Sequence, residues 1–214
     1  MTNTREKAII NMMDTNIYSR EYAEYLFNEM QKTLTPFRFM HSLGVAYMSA
    51  CLATSYGVDR KKAYIAGLIH DCAKEIDKDE LLRLSDRDGV FLTDIERRIK
   101  QLIHARYGAY LAKTKYGIED EDIINAVKNH TVGRANMTKL EQIVFCADFL
   151  EPHREYDCTP TLDELRKMIF TDIDKATYLI LRNQVDFFRE KPRDIDPQTL
   201  ETLEYYKTIV DRRS

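Results

Sequence analysis

Threonine or aspartate heads one apolar-periodic stretch after another along this chain, and few glycines or prolines interrupt them. Thr35-Pro36 places a capping hydroxyl before a proline at a first helical position, where the missing N–H is harmless. The helix it opens carries Met40, Leu43, Tyr47, Ala50 and Leu52, has His41 in its first turns and stops near Gly57. Asp59 caps a second helix, Lys61 to about His70, whose Tyr64, Ile65, Leu68 and Ile69 are expected to face a core. Thr93-Asp94-Ile95-Glu96 and Thr138-Lys139-Leu140-Glu141 are capping-box patterns, in which Thr and Glu satisfy each other's backbone donors. The first introduces a stretch that reaches His104 and continues, with room for a break, through Tyr107, Tyr110 and Leu111 to Gly117. The second carries Ile143 to Ala147 and ends before Pro152, with Asp148 in its last turn. Between them, Asp120 to His130 reads as a short helix with Ile123, Ile124 and Val127 inward. Three more are expected over 161–169, 172–190 and 198–211.

No strand-like alternation of five or more residues and no internal repeat occurs, so the expected fold is an all-α bundle. Gly and Pro together number 12 of 214 residues. That is about half of average usage, which argues against a sandwich, a barrel or a disordered tail. No Pro- or Ser-rich linker divides the chain, and a single compact domain is expected. Residues 1–30, with Tyr18, Tyr22, Tyr25 and Leu26 at helical spacing, read as an N-terminal helical extension packing on the outside of the bundle, and residues 31–214 as its main body.

Thirty-two basic against 35 acidic side chains give a formal charge of −3, which removes the broad positive surface of a nucleic-acid binder. No run approaches the ~20 apolar residues of a spanning helix, and the opening MTNTREKAIINMMD has no uninterrupted apolar core. A soluble, cytoplasmic protein with no nucleic-acid or membrane partner is expected. Cys51, Cys72, Cys146 and Cys158 form no CxxC pair and read as packing residues in a reducing compartment.

The chemistry is concentrated in few residues. Of five histidines, His41, His70, His104 and His130 fall at or near helix ends or first turns, and so do Asp71 and Asp148. Imidazole and carboxylate suit iron, manganese, zinc or similar divalent ions, so a metal site is chemically feasible. Taken singly, each histidine is more often a satisfied core or surface side chain than a ligand. Jointly, the order His41, His70-Asp71, His104, His130, Asp148, with each member on a different helix, carries the weight. His153 reads as a surface residue.

This order resembles the HD-domain metal-dependent phosphohydrolases, an α-helical superfamily. Arg38-Phe-Met-His41, His70-Asp71-Cys-Ala-Lys74-Glu75, His104-Ala-Arg-Tyr-Gly108, Asn129-His130-Thr131-Val-Gly133 and Ala147-Asp148-Phe-Leu-Glu151-Pro152 followed by Arg154 are similar to one subfamily. That subfamily is the YqeK type, the bacterial symmetrical bis(5′-nucleosyl)-tetraphosphatases, and the match covers roughly residues 30 to 200. The resemblance implies an HD-domain helical bundle that cleaves diadenosine tetraphosphate into two ADP with a metal-activated water. It implies His41, His70, Asp71 and Asp148 as ligands of a divalent metal, iron foremost and manganese next. His104 and His130 then either complete a second metal site bridged by Asp71 or contact the scissile phosphate, and the sequence leaves both open. Asp71, His104, His130 and Lys74 are the implied catalytic residues.

Without a basic surface or a Gly-rich loop, the phosphates must be held by metal and local cations. Lys74 lies about one turn after Asp71, Arg38 shares a helix face with His41, and Arg154 follows Asp148 by six residues. Each is an ordinary surface charge when read alone; with the resemblance, Arg38, Lys74, Thr131 and Arg154 join His104 and His130 as substrate contacts. The segment Arg189 to Asp196, with Lys191 and Arg193, is a looser candidate for closing over a nucleotide. Two other readings stay open: hydrolysis of a nucleoside 5′-monophosphate or deoxynucleoside triphosphate, and a non-catalytic nucleotide-sensing module. Whether the chain forms a homodimer is also open.

Overall fold

The computed structural model describes residues 19–190 and 194–213, which form eleven α-helices, one short 3₁₀ segment and no strand. The order is α1 (Arg20–Thr33), α2 (Pro36–Tyr56), α3 (Arg60–Ile69), α4 (Lys78–Asp88), α5 (Asp94–Arg98), the 3₁₀ turn Lys100–Leu102, α6 (Ile103–Thr114), α7 (Glu121–Asn129), α8 (Lys139–Leu150), α9 (Leu162–Met168), α10 (Ile173–Arg189) and α11 (Pro197–Asp211). The all-helical architecture expected from the caps is the one found. Thr35, Asp59, Thr93, Asp120 and Thr138 each accept a backbone N–H at the head of a helix, and both expected capping boxes close reciprocally. Thr161-Glu164 forms a third. Helix α4, capped by Asp77 and stopped by Gly89 at φ 70°, is an element the periodicity did not single out, because its eleven residues are mostly charged.

Helix α2 is the central strut, with α3 and α8 packed against it. It buries Phe39, Val45, Ala46, Ser49, Leu52 and Ala53, while Met40 and Tyr47, expected on its apolar face, are 48% and 61% exposed. The inward stripe is made of smaller side chains, which let neighbouring helices approach closely. At Gly67 of α3, an added Cβ would lie 2.8 Å from the Ala46 Cα and 2.9 Å from the Val45 carbonyl oxygen. Leu68 and Ile69 of α3, Ile123 and Val127 of α7, and Ile143, Val144 and Phe145 of α8 complete one core. A smaller cluster of Ala73, Leu81, Leu92, Ile103 and Tyr107 seats α4 and the loop after it on α6.

Helix α1 packs one stripe of side chains, Tyr22, Leu26 and Met30, against the bundle. Leu26 and Met30 are fully buried in the main core, and the Tyr22 hydroxyl donates to the Tyr116 carbonyl at 2.7 Å. Tyr18 lies outside the described residues. Cys72 and Cys146 are buried packing residues, whereas Cys51 is exposed and Cys158 partly so. Among the described residues no helix is long and apolar enough to cross a membrane.

Asp174 ties the C-terminal helices down: its carboxylate accepts from Gln142 at 2.9 Å, Lys139 at 3.1 Å and Arg213 at 2.6 Å. Burial alone would raise this carboxyl, but those three donors outweigh it and hold it below its usual range. The stabilisation is therefore present above the unfolded carboxyl's pKa of about 3.9 and is lost as pH falls through the lower folded value. Asp174→Asn is expected to cost about 1 kcal/mol at neutral pH, the partial exposure of its partners being allowed for. Urea denaturation should show that cost shrinking below about pH 4. Gly67→Ala gains helix propensity but overpacks a backbone contact. A net loss of about 1–3 kcal/mol is expected, read as a lowered Tm.

Candidate metal centre

Six side chains from five helical segments meet at one buried point. His41 comes from α2, His70 and Asp71 from the end of α3, His104 from the start of α6, His130 from the end of α7 and Asp148 from α8. All but Asp148 are nearly inaccessible. Three overlapping groups, His41-His70-Asp71, His70-His130-Asp148 and Asp71-His104-His130, each bring one donor atom per residue within 4.8 Å of one another.

The rings are oriented from behind. His70 Nδ1 lies 2.7 Å from the Gly67 carbonyl, His130 Nδ1 2.7 Å from that of Val127 and His104 Nδ1 2.5 Å from that of Gln101. Each partner is three residues upstream, so each histidine uses a carbonyl of its own chain turn, two of them at helix ends where carbonyls lack helical partners. A carbonyl can only accept, so the proton sits on Nδ1 and the Nε2 lone pair points forward. His41 reaches the same tautomer differently: its Nδ1 faces Glu151 Oε1 at 3.1 Å.

What these lone pairs face is unusual for a buried site. His41 Nε2 lies 3.0 Å from Asp148 Oδ1, His104 Nε2 3.1 Å from Asp71 Oδ1, and the Nε2 atoms of His104 and His130 are 3.1 Å apart. Acceptor faces acceptor at each contact. His70 Nε2 and Asp71 Oδ1 accordingly have no hydrogen-bond partner despite complete burial. Such groups are costly to bury unpaired, and a cation satisfies all of them at once. The donor set of imidazole nitrogens and carboxylate oxygens fits a divalent transition metal.

Titration behaviour agrees. Burial pushes His70 down to about 3 and lowers His104, keeping both neutral. Burial would also suppress an imidazolium at His41, but the carboxylates of Asp148 and Glu151 beside it outweigh burial, so this corner of the site attracts positive charge. Asp71, although buried, is held well below the ordinary carboxylate range by the surrounding imidazoles and Lys74.

Cations border the cluster. Arg38 pairs with Asp71 Oδ2 at 2.9 Å, Lys74 Nζ lies 3.1 Å from His104 Nε2, and Arg154 bonds Asp148 Oδ1 at 2.8 Å and the Asp148 carbonyl at 3.0 Å. Thr131 lines a cavity together with Lys74, His104 and Asp148. His153 is 58% exposed, as expected. Lys191 and Arg193 lie outside the described residues, while Asp194, Ile195 and Asp196 line the same cavity as Thr131.

Sequence reasoning missed Glu151 as a functional residue. It is 1% exposed, and besides His41 it accepts from the His153 backbone N–H at 2.8 Å. Its signals were its spacing of one helical turn from Asp148 and its place in the Ala147–Pro152 motif, which assigned it no role. Asn129 is a second omission: its amide and the Arg134 guanidinium both donate to the buried Glu141, bracing the turn after His130.

The HD domain family model matches residues 38–152, from Arg38 to the proline after Glu151, a span that contains all six converging residues. The chain belongs to the HD domain family. It is 39% identical to the symmetrical bis(5′-nucleosyl)-tetraphosphatase of Halalkalibacterium halodurans, over 84% of this chain and 93% of that one. It is 35% identical to the protein of the same name from Bacillus subtilis, over 82% and 92%. Among solved structures, a predicted HD superfamily hydrolase involved in NAD metabolism from Clostridium acetobutylicum superposes with a TM-score of 0.83 at 36% identity, covering 87% of this chain and 97% of that one.

If Glu151 holds the His41 ring, removing its charge should loosen the metal without unfolding the protein. Glu151→Gln is expected to weaken metal affinity about tenfold, measured by competition with a chromogenic chelator, with the helical circular dichroism unchanged.

Proposed function

We propose that this chain hydrolyses diadenosine tetraphosphate symmetrically: water attacks phosphorus at the central anhydride, the bridging oxygen leaves with the other half, and two ADP molecules result. The observation that carries this is the convergence of four forward-facing imidazole lone pairs and two carboxylates beside Lys74 and Arg154. The names of the relatives, which match over most of the chain's length, support the same reaction.

His41, His70, Asp71 and Asp148 would hold the first divalent ion, which we assign as iron, with manganese the next candidate. When bound there, such an ion supplies Lewis acidity to a phosphoryl oxygen and lowers the pKa of a water molecule. The two oxygens of Asp71 face different partners: Oδ2 lies toward His41 and His70 at 3.9 and 3.5 Å, Oδ1 toward His104 and His130 at 3.1 and 3.5 Å. That division favours a second ion bridged by Asp71 and held by His104 and His130. Their Nδ1–H tautomer supports it too, because Nε2 then has no proton to offer a phosphate. Lys74 and Arg154 supply donors and positive charge to the tetraphosphate from two sides of the cluster, Arg38 balances the charge of Asp71, and Thr131 offers a hydroxyl beside the reacting phosphates.

Purified protein loaded with iron or manganese is expected to release two ADP per diadenosine tetraphosphate, resolved by anion-exchange chromatography; ATP plus AMP would sink the symmetrical assignment. Asp71→Ala should abolish turnover and bound metal together while leaving helicity intact. Retention of the full metal complement by that variant, in elemental analysis, would remove Asp71 from the ligand set.

A further inference from the structure

The cavity that begins at Lys74, His104 and Thr131 does not end with them. It extends for about 540 Å³ away from the metal centre, between the α5–α6 turn and the C-terminal helices α10 and α11. A volume of this size is ordinary for a small-molecule site and is much more than a phosphate chain fills. Lys74, His104, Thr131 and Asp148 mark its end at the cluster; Ile99 and Leu102 from the α5–α6 turn and the Phe188 ring from α10 add apolar surface, and Arg98, Asp194 and Asp196 add charge to the lining. Phe188 is half-buried, unlike its neighbour Phe187, which is 48% exposed. Gln184, one turn before Phe188 on the same helix, adds an amide with both donor and acceptor capacity that no described residue engages.

An anion site leading into an apolar pocket with one aromatic ring and one amide has the sequence of chemistries found along a nucleoside 5′-diphosphate. The phosphates come first, then a planar heteroaromatic base that stacks on a π-face and offers donors and acceptors at its edge. We infer that this cavity seats the nucleoside of one ADP half, with Phe188 and Gln184 as base-recognising residues. The inference rests on the phosphohydrolase reading for which end of the cavity receives phosphate. It adds that specificity for a nucleoside, as opposed to bare polyphosphate, is built by helix α10, which contributes nothing to the metal cluster. The apolar lining also explains why the C-terminal helices pack beside the cluster: they wall one side of the substrate's path.

The test separates base from phosphate. Calorimetric titration of the metal-loaded protein with ADP and with inorganic pyrophosphate should show tighter binding of ADP. Phe188→Ala should weaken ADP about tenfold and leave pyrophosphate unchanged. Phe188→Leu, which keeps apolar volume without the ring, should fall between. Equal weakening of both ligands would make Phe188 a structural support and overturn the inference, as would ADP binding insensitive to both variants. Should Phe188→Ala fail to fold, Gln184→Ala carries the test with the same two ligands. If ADP binding depends on Phe188 while diadenosine tetraphosphate is not cleaved, the pocket stands and the hydrolase reading falls. Cleavage with Phe188-independent ADP binding gives the reverse.

Discussion

The carbonyl oxygens behind His70, His104 and His130 determine what this protein can do. Each, three residues upstream, accepts a hydrogen bond from the Nδ1–H of its histidine, and Glu151 does the same for His41. With the tautomer set in this way, four Nε2 lone pairs and the Asp71 and Asp148 carboxylates are aimed at one another in a space from which water is largely excluded. An assembly in which acceptors outnumber the donors that Arg38, Lys74 and Arg154 bring to its border is electrostatically unfavourable by itself, and the folded core must supply the free energy that holds it together. A divalent cation turns the same arrangement from a cost into a binding site.

That demand accounts for much of the packing. The six donors come from five helical segments, so their separation depends on how closely those helices cross. Gly67 allows α3 to approach the α2 backbone, and the small buried residues of α2 leave room for α8. Behind the donors are further braced polar contacts: Glu96 accepts from Arg106 near His104, and Glu141 accepts from Asn129 and Arg134 near His130. These buried acids stand on elements next to the histidine-bearing ones, Glu96 on α5 before the His104 helix and Glu141 on α8 after the His130 turn. A protein with a net charge of −3 can handle a polyanion only where cations are placed deliberately, and Arg38, Lys74 and Arg154 surround the one point where they are needed.

Much of this was legible in the linear order of residues. Helix caps at Thr35, Asp59, Thr93, Asp120 and Thr138 act within four residues, so their meaning does not depend on the rest of the fold, and each was found where its local chemistry placed it. The six donors were recognisable because their order along the chain is distinctive, even though no two on different helices are neighbours in sequence. Three kinds of feature were not legible. The tyrosine-rich pattern of helix α1 does not say which of its residues turn inward; Tyr22, Leu26 and Met30 do. The face of α2 that turns inward is the one bearing Val45, Ala46, Ser49 and Ala53, and Met40 and Tyr47 stand on its exposed side. Glu151 stood in a recognised motif, but its contact with His41 joins residues 110 positions apart, which no local pattern encodes.

The amino-acid order by itself determined the helices and their caps, which follow from interactions within a turn or two of chain, and it pointed to the donor set through the order of its members along the sequence. Only the tertiary structure decided that the donors face one another through Nε2, that Glu151 orients His41, and that Phe188 and Gln184 share a cavity with Lys74. Those facts depend on helices distant in sequence being set at particular distances, and close packing of side chains, which no local propensity encodes, is what sets them.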